Sequence, residues 1–185
     1  MDHFDNLAEV CTGSEEIFNG KILHVYQDSV RLPNGHSSVR ETMRHIGSVG
    51  VVPVTEDGKI IIEHQYRYPL NEVILEIPAG KLDRPDEDRL SAAQRELQEE
   101  TGITADEWIS LGDYHPAAAY TDERLSMFLA RDLHFGPRNL DEDEFLNVEA
   151  IPVDTLVQEI MNGRITDGKT QAAILKAALW LRENP

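Results

Sequence analysis

Cysteine and positive charge are the scarcest features of this sequence. The single cysteine, Cys11, excludes a disulfide within the chain and fits a reducing compartment, so we expect a cytoplasmic protein. Lysine and arginine together number 17 against 34 aspartate and glutamate residues, which gives a formal net charge of -17. Because nucleic-acid binding needs a basic surface, this charge excludes DNA and RNA from the expected partners.

Long hydrophobic runs are also missing. No apolar stretch reaches the roughly 20 residues that a helix needs to cross a bilayer, and no charged and then apolar leader opens the chain. We therefore expect no association with a membrane. Internal repeats and low-complexity segments are absent as well, and 185 residues suit a compact protein with a real hydrophobic core.

Alternating apolar and polar residues predict a β-rich start followed by an α/β core. We divide the chain into an N-terminal β extension at residues 1–45 and a core domain at residues 46–185. Strands are predicted at residues 10–12, 15–18, 22–26, 29–32, 39–45, 48–54, 60–66, 73–77, 109–115, 125–130 and 148–152. Helices are predicted from between Pro85 and Asp88 to a stop at Gly102, at residues 154–161, and from a cap at Thr166-Asp167 through Leu181.

The most informative stretch is GKLDRPDEDRLSAAQRELQEETGI, residues 80–103. Four carboxylates are predicted on its helix, namely Glu87, Glu96, Glu99 and Glu100. Positions three and four apart share a helix face, so like charges accumulate there and need a cation among them. Arg95 can pair with Glu99 but cannot neutralise the cluster. A hard divalent cation such as Mg²⁺ prefers carboxylate oxygens and would do so, whereas the alternative is a solvated acidic face.

The spacing of these residues resembles the Nudix box, the signature of the Nudix hydrolase family. The family pattern is Gly, five residues, Glu, seven residues, then Arg-Glu-apolar-any-Glu-Glu-any-Gly-apolar. RELQEETGI at residues 95–103 matches the second half, and seven residues separate Glu87 from Arg95. Six residues, one more than in the pattern, separate Gly80 from Glu87. A surface turn at Arg84-Pro85-Asp86 can absorb this insertion at small cost in free energy.

The resemblance implies an α/β (α+β) Nudix fold, with a mixed β-sheet sandwiched between helices and an N-terminal antiparallel β extension. It also implies a divalent cofactor, Mg²⁺ or Mn²⁺, held where a strand and a glycine loop lead into the helix. Glu96 and Glu100 would be the principal metal ligands, and Glu99 a further ligand or a group that positions water. The backbone carbonyl of Ala79 would approach the metal beside them.

Other residues of the box take lesser or structural roles by the same resemblance. Glu87 would be a weaker ligand, with a helix cap or a water-holding group as the alternative. Arg95 would orient a ligand carboxylate. Gly80 would open the loop and Gly102 would end the helix.

Two segments beside the box narrow the branch of the family. HQYRY at residues 64–68 and LEIPAG at residues 75–80 resemble the ADP-ribose and nucleoside-diphosphate-sugar pyrophosphatases. That branch also has an N-terminal β extension, a proline after the box, here Pro116, and an acidic late loop, here residues 141–144. The resemblance implies metal-dependent hydrolysis of a nucleotide sugar, such as ADP-ribose, to a nucleoside monophosphate and a sugar phosphate.

The branch also suggests residues for the substrate. Arg67 would clamp the diphosphate, since arginine suits phosphate geometry, and the alternative is a solvent-facing charge at a strand end. Glu123 would contact substrate, but HPAAAY, residues 115–120, lacks the glycine that is usual there, which leaves sugar specificity open. One of two loop residues, Glu144 by preference or Glu142, would act as general base or extra metal ligand.

The features of the N-terminal extension favour a homodimer. A two-stranded hairpin is marginal alone, and an exposed strand edge favours pairing with another chain. In the resembling branch the extension is exchanged between subunits, which would bring Arg40 or Arg44 towards the partner's diphosphate pocket. The alternative is a hairpin that folds back on its own core and leaves a monomer.

Two further functions fit parts of the sequence. A Nudix hydrolase acting on dinucleoside polyphosphates, NADH or coenzyme A would share the box, but the flanking signatures of those branches are not found here. A catalytically silent nucleotide-sensing module could keep the fold. Every carboxylate of the box is intact, which favours an enzyme over such a module.

Overall fold

The computed structural model describes residues 5–140 and 145–184. Over these residues the chain forms a short 3-10 helix (Asp5–Leu7), ten β-strands and three α-helices. The strands are β1 (Val10–Asn19), β2 (His24–Arg31), β3 (Ser37–Met43), β4 (Ser48–Pro53), β5 (Lys59–Arg67), β6 (Glu72–Glu76), β7 (Ala79–Lys81), β8 (Ile103–Tyr114), β9 (Leu125–Phe135) and β10 (Leu146–Pro152). The helices are α1 (Arg89–Thr101), α2 (Val153–Met161) and α3 (Gly168–Glu183). Among the described residues, no helix has both the length and the apolar character to cross a membrane.

Residues 5–45 and 115–123 form the first of two compact units. Its strands make an antiparallel sheet in the order β1-β2-β3. The backbone N–H of Met43 donates to the carbonyl of Tyr120 (2.7 Å), which ties segment 115–123 to the end of β3. All ten residues of β1 are exposed, so this strand carries apolar side chains in contact with solvent.

The second unit contains two sheets and all three α-helices. One sheet is mixed, in the order β7-β4-β9-β8, with β4 parallel to β9 and the other neighbours antiparallel. The other is the antiparallel sheet β10-β5-β6. All six residues of β4 are buried, as its continuous small apolar run predicts for a central strand.

Helices pack on both faces of the mixed sheet. Val51 of β4 lies in a buried cluster with Leu97 of α1. The next residue, Val52, belongs to a second buried cluster with Ile174 of α3. Because successive side chains of a strand point to opposite faces, the two clusters lie on opposite sides of β4. The predicted fold class, a mixed sheet between helices with an N-terminal antiparallel extension, is confirmed.

The helix of the box begins later than predicted. Asp88 is its N-cap and accepts hydrogen bonds from the backbone N–H (2.9 Å) and the hydroxyl (3.0 Å) of Ser91. The prediction that four carboxylates share the helix is therefore wrong for Glu87, which lies just before the cap. Gly102 ends α1 as predicted, with a φ of 73° and its N–H bonded to the carbonyl of Gln98.

Several strands differ in extent from the predictions. Residues 10–12 and 15–18 belong to one strand, β1, because bulges after Cys11 and Glu16 interrupt the alternation without ending the pairing. Both β8 and β9 extend well beyond the predicted segments 109–115 and 125–130. The added residues pair with each other, which the sequence of either strand alone does not reveal.

Candidate functional site

The candidate site forms where β6 leads into β7 beside the buried face of α1. The backbone N–H of Ala79 donates to Oε2 of Glu100 (2.9 Å), and Glu100 is 3% exposed. The N–H of Ile77 donates to the hydroxyl of Thr170 on α3 (3.0 Å). The connection between the two strands is therefore fixed from both sides, by a carboxylate of α1 and by the first turn of α3.

Gly80 is required by the closeness of Glu96 to the backbone. A β-carbon at position 80 would lie 2.1 Å from the carboxyl carbon of Glu96 and 2.2 Å from both of its carboxyl oxygens. A residue with a side chain fits there only if Glu96 moves. Glu96 itself is 9% exposed, so its carboxylate is held against the strand rather than in solvent.

Arg95 holds three carboxylates of the box together. Its Nη1 donates to Glu96 (2.9 Å) and to Glu99 (3.0 Å), as the predicted pairing with Glu99 requires, and its Nε donates to Glu87 (3.4 Å). Partial burial alone would lower the pKa of Arg95, but the charge of Glu96 and the hydrogen bonds to the three carboxylates raise it above its ordinary value. The guanidinium is a permanent cation in this cluster.

The extra residue before Glu87 lies in an exposed turn at residues 83–86. Glu87 closes this turn, because its Oε2 accepts from the backbone N–H of Asp83 (2.7 Å). That bond and, against the effect of burial, the contact with Arg95 hold the pKa of Glu87 below its ordinary value. The insertion therefore leaves Glu87 ionised and in contact with the arginine of the box.

The donor set suits a hard divalent cation. Two buried carboxylates, Glu96 and Glu100, lie at the backbone of residues 79 and 80, and oxygen ligands of this kind are those that Mg²⁺ prefers. Within the part of the chain that the structure describes, no three acidic, histidine or cysteine side chains are gathered closely enough to hold an ion. Arg95 bridges Glu96 and Glu99, so an ion would compete with the guanidinium for these oxygens.

Arg67 ends β5 and is held by Glu76 at the end of β6. Its Nε and Nη2 donate to the two carboxylate oxygens of Glu76 (2.5 and 2.9 Å). Lys169, in the first turn of α3, donates to Glu76 and to Asp167 (3.0 Å). The side chain of Glu76 is 3% exposed and that of Arg67 is 41% exposed, so the arginine extends towards solvent from a buried anchor.

Electrostatic interactions connect this pair with α1. The hydrogen bonds to Glu76 raise the pKa of Arg67 above its ordinary value, and the negative charges of Asp167 and Glu100 add to the effect. Burial alone would raise the pKa of Glu76, but the bonds from Arg67 and Lys169 hold it below its ordinary value. Arg67 is therefore charged and lies within electrostatic reach of Glu100.

Two arginines proposed for the substrate, Arg40 and Arg44, belong to the first compact unit. Arg40 pairs with Glu9 at 2.5 Å. Arg44 lies 3.4 Å from Asp28, and its guanidinium stacks 3.7 Å from the centre of the Tyr26 ring. Both side chains have partners within their own unit, so binding a substrate would require them to exchange these contacts.

The remaining predicted residues lie apart from α1 in the chain. Glu123 also belongs to the first unit, where its carbonyl contacts the ring of His115 at 3.0 Å. Glu142 and Glu144 lie outside the described residues. Their assignment as general base stays a prediction.

Sequence reasoning missed three charged residues around the β6–β7 connection. Glu76 enters the sequence prediction only within LEIPAG, residues 75–80, and no sequence pattern marks Lys169. Glu63 is 2% exposed and stands opposite Glu76 in the β5–β6 register. A glutamate directly after the apolar run Ile60–Ile62 was the available signal for Glu63, whereas Lys169 lies 93 positions from its partner and had none.

Comparison with known proteins adds independent information. Residues 44–172 match the family model of the NUDIX domain, and residues 9–43 match that of the nucleoside diphosphate sugar hydrolase N-terminal domain. The chain is 40% identical over 180 residues to the ADP-ribose pyrophosphatase of Bacillus subtilis, covering 94% of this chain and 97% of the relative. It is 39% identical over 163 residues to the methanol dehydrogenase activator of Bacillus methanolicus, covering 87% and 88% of the two chains.

A solved structure matches the fold. The chain superposes on a crystal structure of an ADP compounds hydrolase with a TM-score of 0.85, covering 96% of each chain. The sequence identity in this pair is 24%, so the likeness concerns the fold alone.

Proposed function

Because the chain belongs to the Nudix hydrolase family, we propose that it hydrolyses the diphosphate linkage of ADP-ribose or a related nucleoside diphosphate sugar. The products are AMP, or another nucleoside monophosphate, and a sugar phosphate. The N-terminal family match and the name of the Bacillus subtilis relative support this substrate class. The observation that carries the activity is the pair of buried carboxylates, Glu96 and Glu100, at the backbone of β7.

Nudix hydrolases generally use divalent metal cations, and we assign Mg²⁺, or Mn²⁺ in its place, to this site. Glu96 and Glu100 are its principal ligands, and Glu99, Glu87 and the carbonyl of Ala79 are further candidates. A bound cation supplies positive charge that polarises the diphosphate. Arg95 keeps Glu96 and Glu99 in position, because its Nη1 donates to both carboxylates.

The substrate diphosphate binds beside Arg67 in this proposal. A guanidinium has N–H donors on each of its nitrogens, and Glu76 engages Nε and Nη2, so among the described residues Nη1 is left available to a phosphate oxygen. The partial exposure of Arg67 and its electrostatic reach to Glu100 support this role. Glu123 is assigned to the terminal sugar, which stays a prediction.

A carboxylate must also accept the proton of the attacking water. Glu99 is the candidate among the described residues, since its side chain is 40% exposed and lies next to the buried pair. Glu144, or Glu142 in its place, is the candidate from the late loop. Substituting each in turn by glutamine and comparing the alkaline and acidic limbs of the rate profile decides which one acts as base.

The N-terminal extension, residues 1–45, is assigned to dimerisation and substrate contact. Large apolar side chains are exposed on it, including Ile17 (55%), Phe18 (54%), Ile22 (58%) and Val39 (49%). A long strand exposed throughout is a template for pairing with a second chain. A second copy of this chain would cover these residues and could bring Arg40 or Arg44 to the diphosphate.

A substrate screen with product identification tests the proposed function. Nucleotide sugars, dinucleotides, coenzyme A and nucleoside triphosphates are each incubated with the protein and Mg²⁺. We expect nucleotide sugars to turn over best and to yield a nucleoside monophosphate. Turnover of only triphosphates or coenzyme A would assign another Nudix substrate, and nucleotide binding without any turnover would indicate a sensing module.

A further inference from the structure

Lys169 makes its contacts with other charged groups, and it lies on a helix that contributes no residue to the box. Its ammonium donates to Glu76 and to Asp167, and its side chain is 15% exposed. Removing a lysine from water is unfavourable unless its charge is compensated. Two carboxylates compensate the charge of the Lys169 ammonium here, so the surroundings of this residue favour a positive charge as well as packing.

Glu76 is shared between two cations. Arg67 approaches it with two parallel hydrogen bonds, and Lys169 contacts the same Oε2 atom that receives Nη2 of Arg67. A carboxylate has lone pairs enough to accept from both. Without Lys169, Arg67 alone would balance the negative charge of the buried Glu76 carboxylate.

This sharing affects the charge that Arg67 can offer to a ligand. Arg67 is the more exposed member of the group, and it already experiences the negative charge of Glu100. An anion is attracted less by an arginine that is fully neutralised by its own carboxylate. Lys169 therefore makes the electrostatic potential on the exposed side of Arg67 more positive.

We propose that Lys169 is a positioning residue which, through Glu76, orients Arg67 and keeps the potential around it positive for the substrate diphosphate. This inference rests on the proposed function, in which Arg67 binds the diphosphate. It extends the site to the first turn of α3, whose Thr170 also fixes the β6–β7 connection. The role is one of ground-state binding, so it predicts an effect on substrate affinity more than on the chemical step.

The test compares Lys169→Met and Lys169→Arg with Lys176→Met as a matched control. Lys176 is an exposed lysine of the same helix, and its ammonium donates to the carbonyl of Leu111 (2.7 Å) instead of a carboxylate. We expect Lys169→Met to raise the KM for ADP-ribose roughly tenfold while kcat changes less than about twofold. Lys169→Arg should restore most of the affinity, and Lys176→Met should leave KM near the wild-type value.

Binding of methylenediphosphonate with Mg²⁺, measured by calorimetry, gives a second readout that needs no turnover. Its affinity should fall in Lys169→Met and recover in Lys169→Arg. If the wild-type protein hydrolyses no nucleotide sugar but this binding pattern holds, the proposed function fails and the role of Lys169 stands.

Three results would overturn the role of Lys169. They are an unchanged KM in Lys169→Met, an equal rise in Lys169→Met and Lys176→Met, and an affinity that Lys169→Arg does not recover. If the wild-type protein neither hydrolyses nucleotide sugars nor binds the diphosphonate, the proposed function and the role of Lys169 fall together.

Discussion

At the scale of single residues, the carboxylate of Glu96 lies close to the backbone of Gly80. The carboxylate lies where a β-carbon at position 80 would be, so the absence of a side chain is part of the proposed metal site. Gly80 has an ordinary backbone conformation and is missing from the glycines with positive φ. Its role is therefore to leave space, and not to permit a special turn.

Gly80→Ala tests this role. Glu96 has a flexible side chain that can move aside, so we expect the protein to fold with little change in melting temperature. The displaced carboxylate should lower kcat/KM by about 10²-fold, as misplacement of a catalytic group by about 1 Å commonly does. Gly13→Ala is the control, because its β-carbon would meet nothing closer than Ser29 at 4.0 Å. Equal activity of the two variants would contradict the role.

The buried pair of carboxylates gives a second prediction at this scale. Glu96→Gln and Glu100→Gln each remove negative charge but little volume, so we expect activity to fall by about 10²–10³ with the fold intact. Glu87→Gln should cost less, because Glu87 lies before the helix and is held by the turn. Glu107→Gln, an exposed change on β8, is the control. Near-wild-type turnover of Glu100→Gln at saturating Mg²⁺ would remove Glu100 from the ligand set.

At the scale of elements, the end of α1 is fixed by close packing as well as by backbone conformation. Gly102 has a φ of 73°, and a β-carbon there would lie 2.3 Å from the carbonyl oxygen of Gly136. Gly163, beyond the end of α2, has a similar φ of 74° but has no atom within 4 Å of such a carbon. Comparing the two positions therefore distinguishes the cost of a left-handed backbone from the cost of a steric clash.

Alanine substitution of both glycines tests that separation. We expect Gly163→Ala to lower the free energy of unfolding by about 1 kcal/mol, the cost of a left-handed residue with a β-carbon. Gly102→Ala should lower it by about 2–4 kcal/mol, because the clash with the backbone of residue 136 adds to the strain. Urea unfolding of both variants measures the difference. Equal losses would mean that the backbone at residue 136, just after β9, adjusts freely.

Elements with a strong local pattern could be predicted from the sequence, and elements defined by distant pairing could not. The helix of the box and the buried strand β4 follow from spacing and from a continuous apolar run. The first half of β8 contains Asp106 and Glu107, which are untypical of strands. They form ion pairs with two residues of β9, Asp106 with His134 (2.8 Å) and Glu107 with Arg131 (3.7 Å). A distant partner therefore decides the conformation of this segment.

The same distinction applies to the candidate site. Glu96, Glu99 and Glu100 could be proposed together because they lie within two turns of one helix. The link from Lys169 to Glu76 spans 93 positions, and one chain offers no pattern at that distance. The start of α1 was misplaced because Asp86, Glu87 and Asp88 are all acidic, and geometry alone shows that Asp88 is the cap.

At the scale of the whole molecule, the net charge of -17 opposes the approach of an anionic diphosphate. Local cations must therefore reverse the potential at the site. Arg67, Lys169 and Arg95 supply three positive charges around the buried carboxylates. A divalent ion would add to them, and together these charges would favour the anionic substrate proposed for this acidic protein.

The homodimer is the prediction that belongs to this scale. We expect the full-length protein to scatter light as a dimer, and Ile17→Asp and Val39→Asp to weaken dimerisation, because a charge on a covered apolar face is unfavourable. Phe135→Asp is the control, since Phe135 is 70% exposed on β9, outside the first unit. Activity should fall together with dimerisation if Arg40 or Arg44 serves the partner's site. A fully active monomer would contradict both the dimer and the shared site.

The hydrogen bond from Ala79 to Glu100 makes one peptide group a spectroscopic reporter. An amide proton held by a carboxylate is strongly deshielded, and its exchange with deuterium is slowed by the strength of a charge-assisted bond. If Glu100 binds a metal ion as proposed, the ion and this amide would share one carboxylate, so the Ala79 resonance should move during a Mg²⁺ titration. Loss of that response in Glu100→Gln would confirm its origin. A single cross-peak would then follow ion occupancy in the resting protein, before any substrate is added.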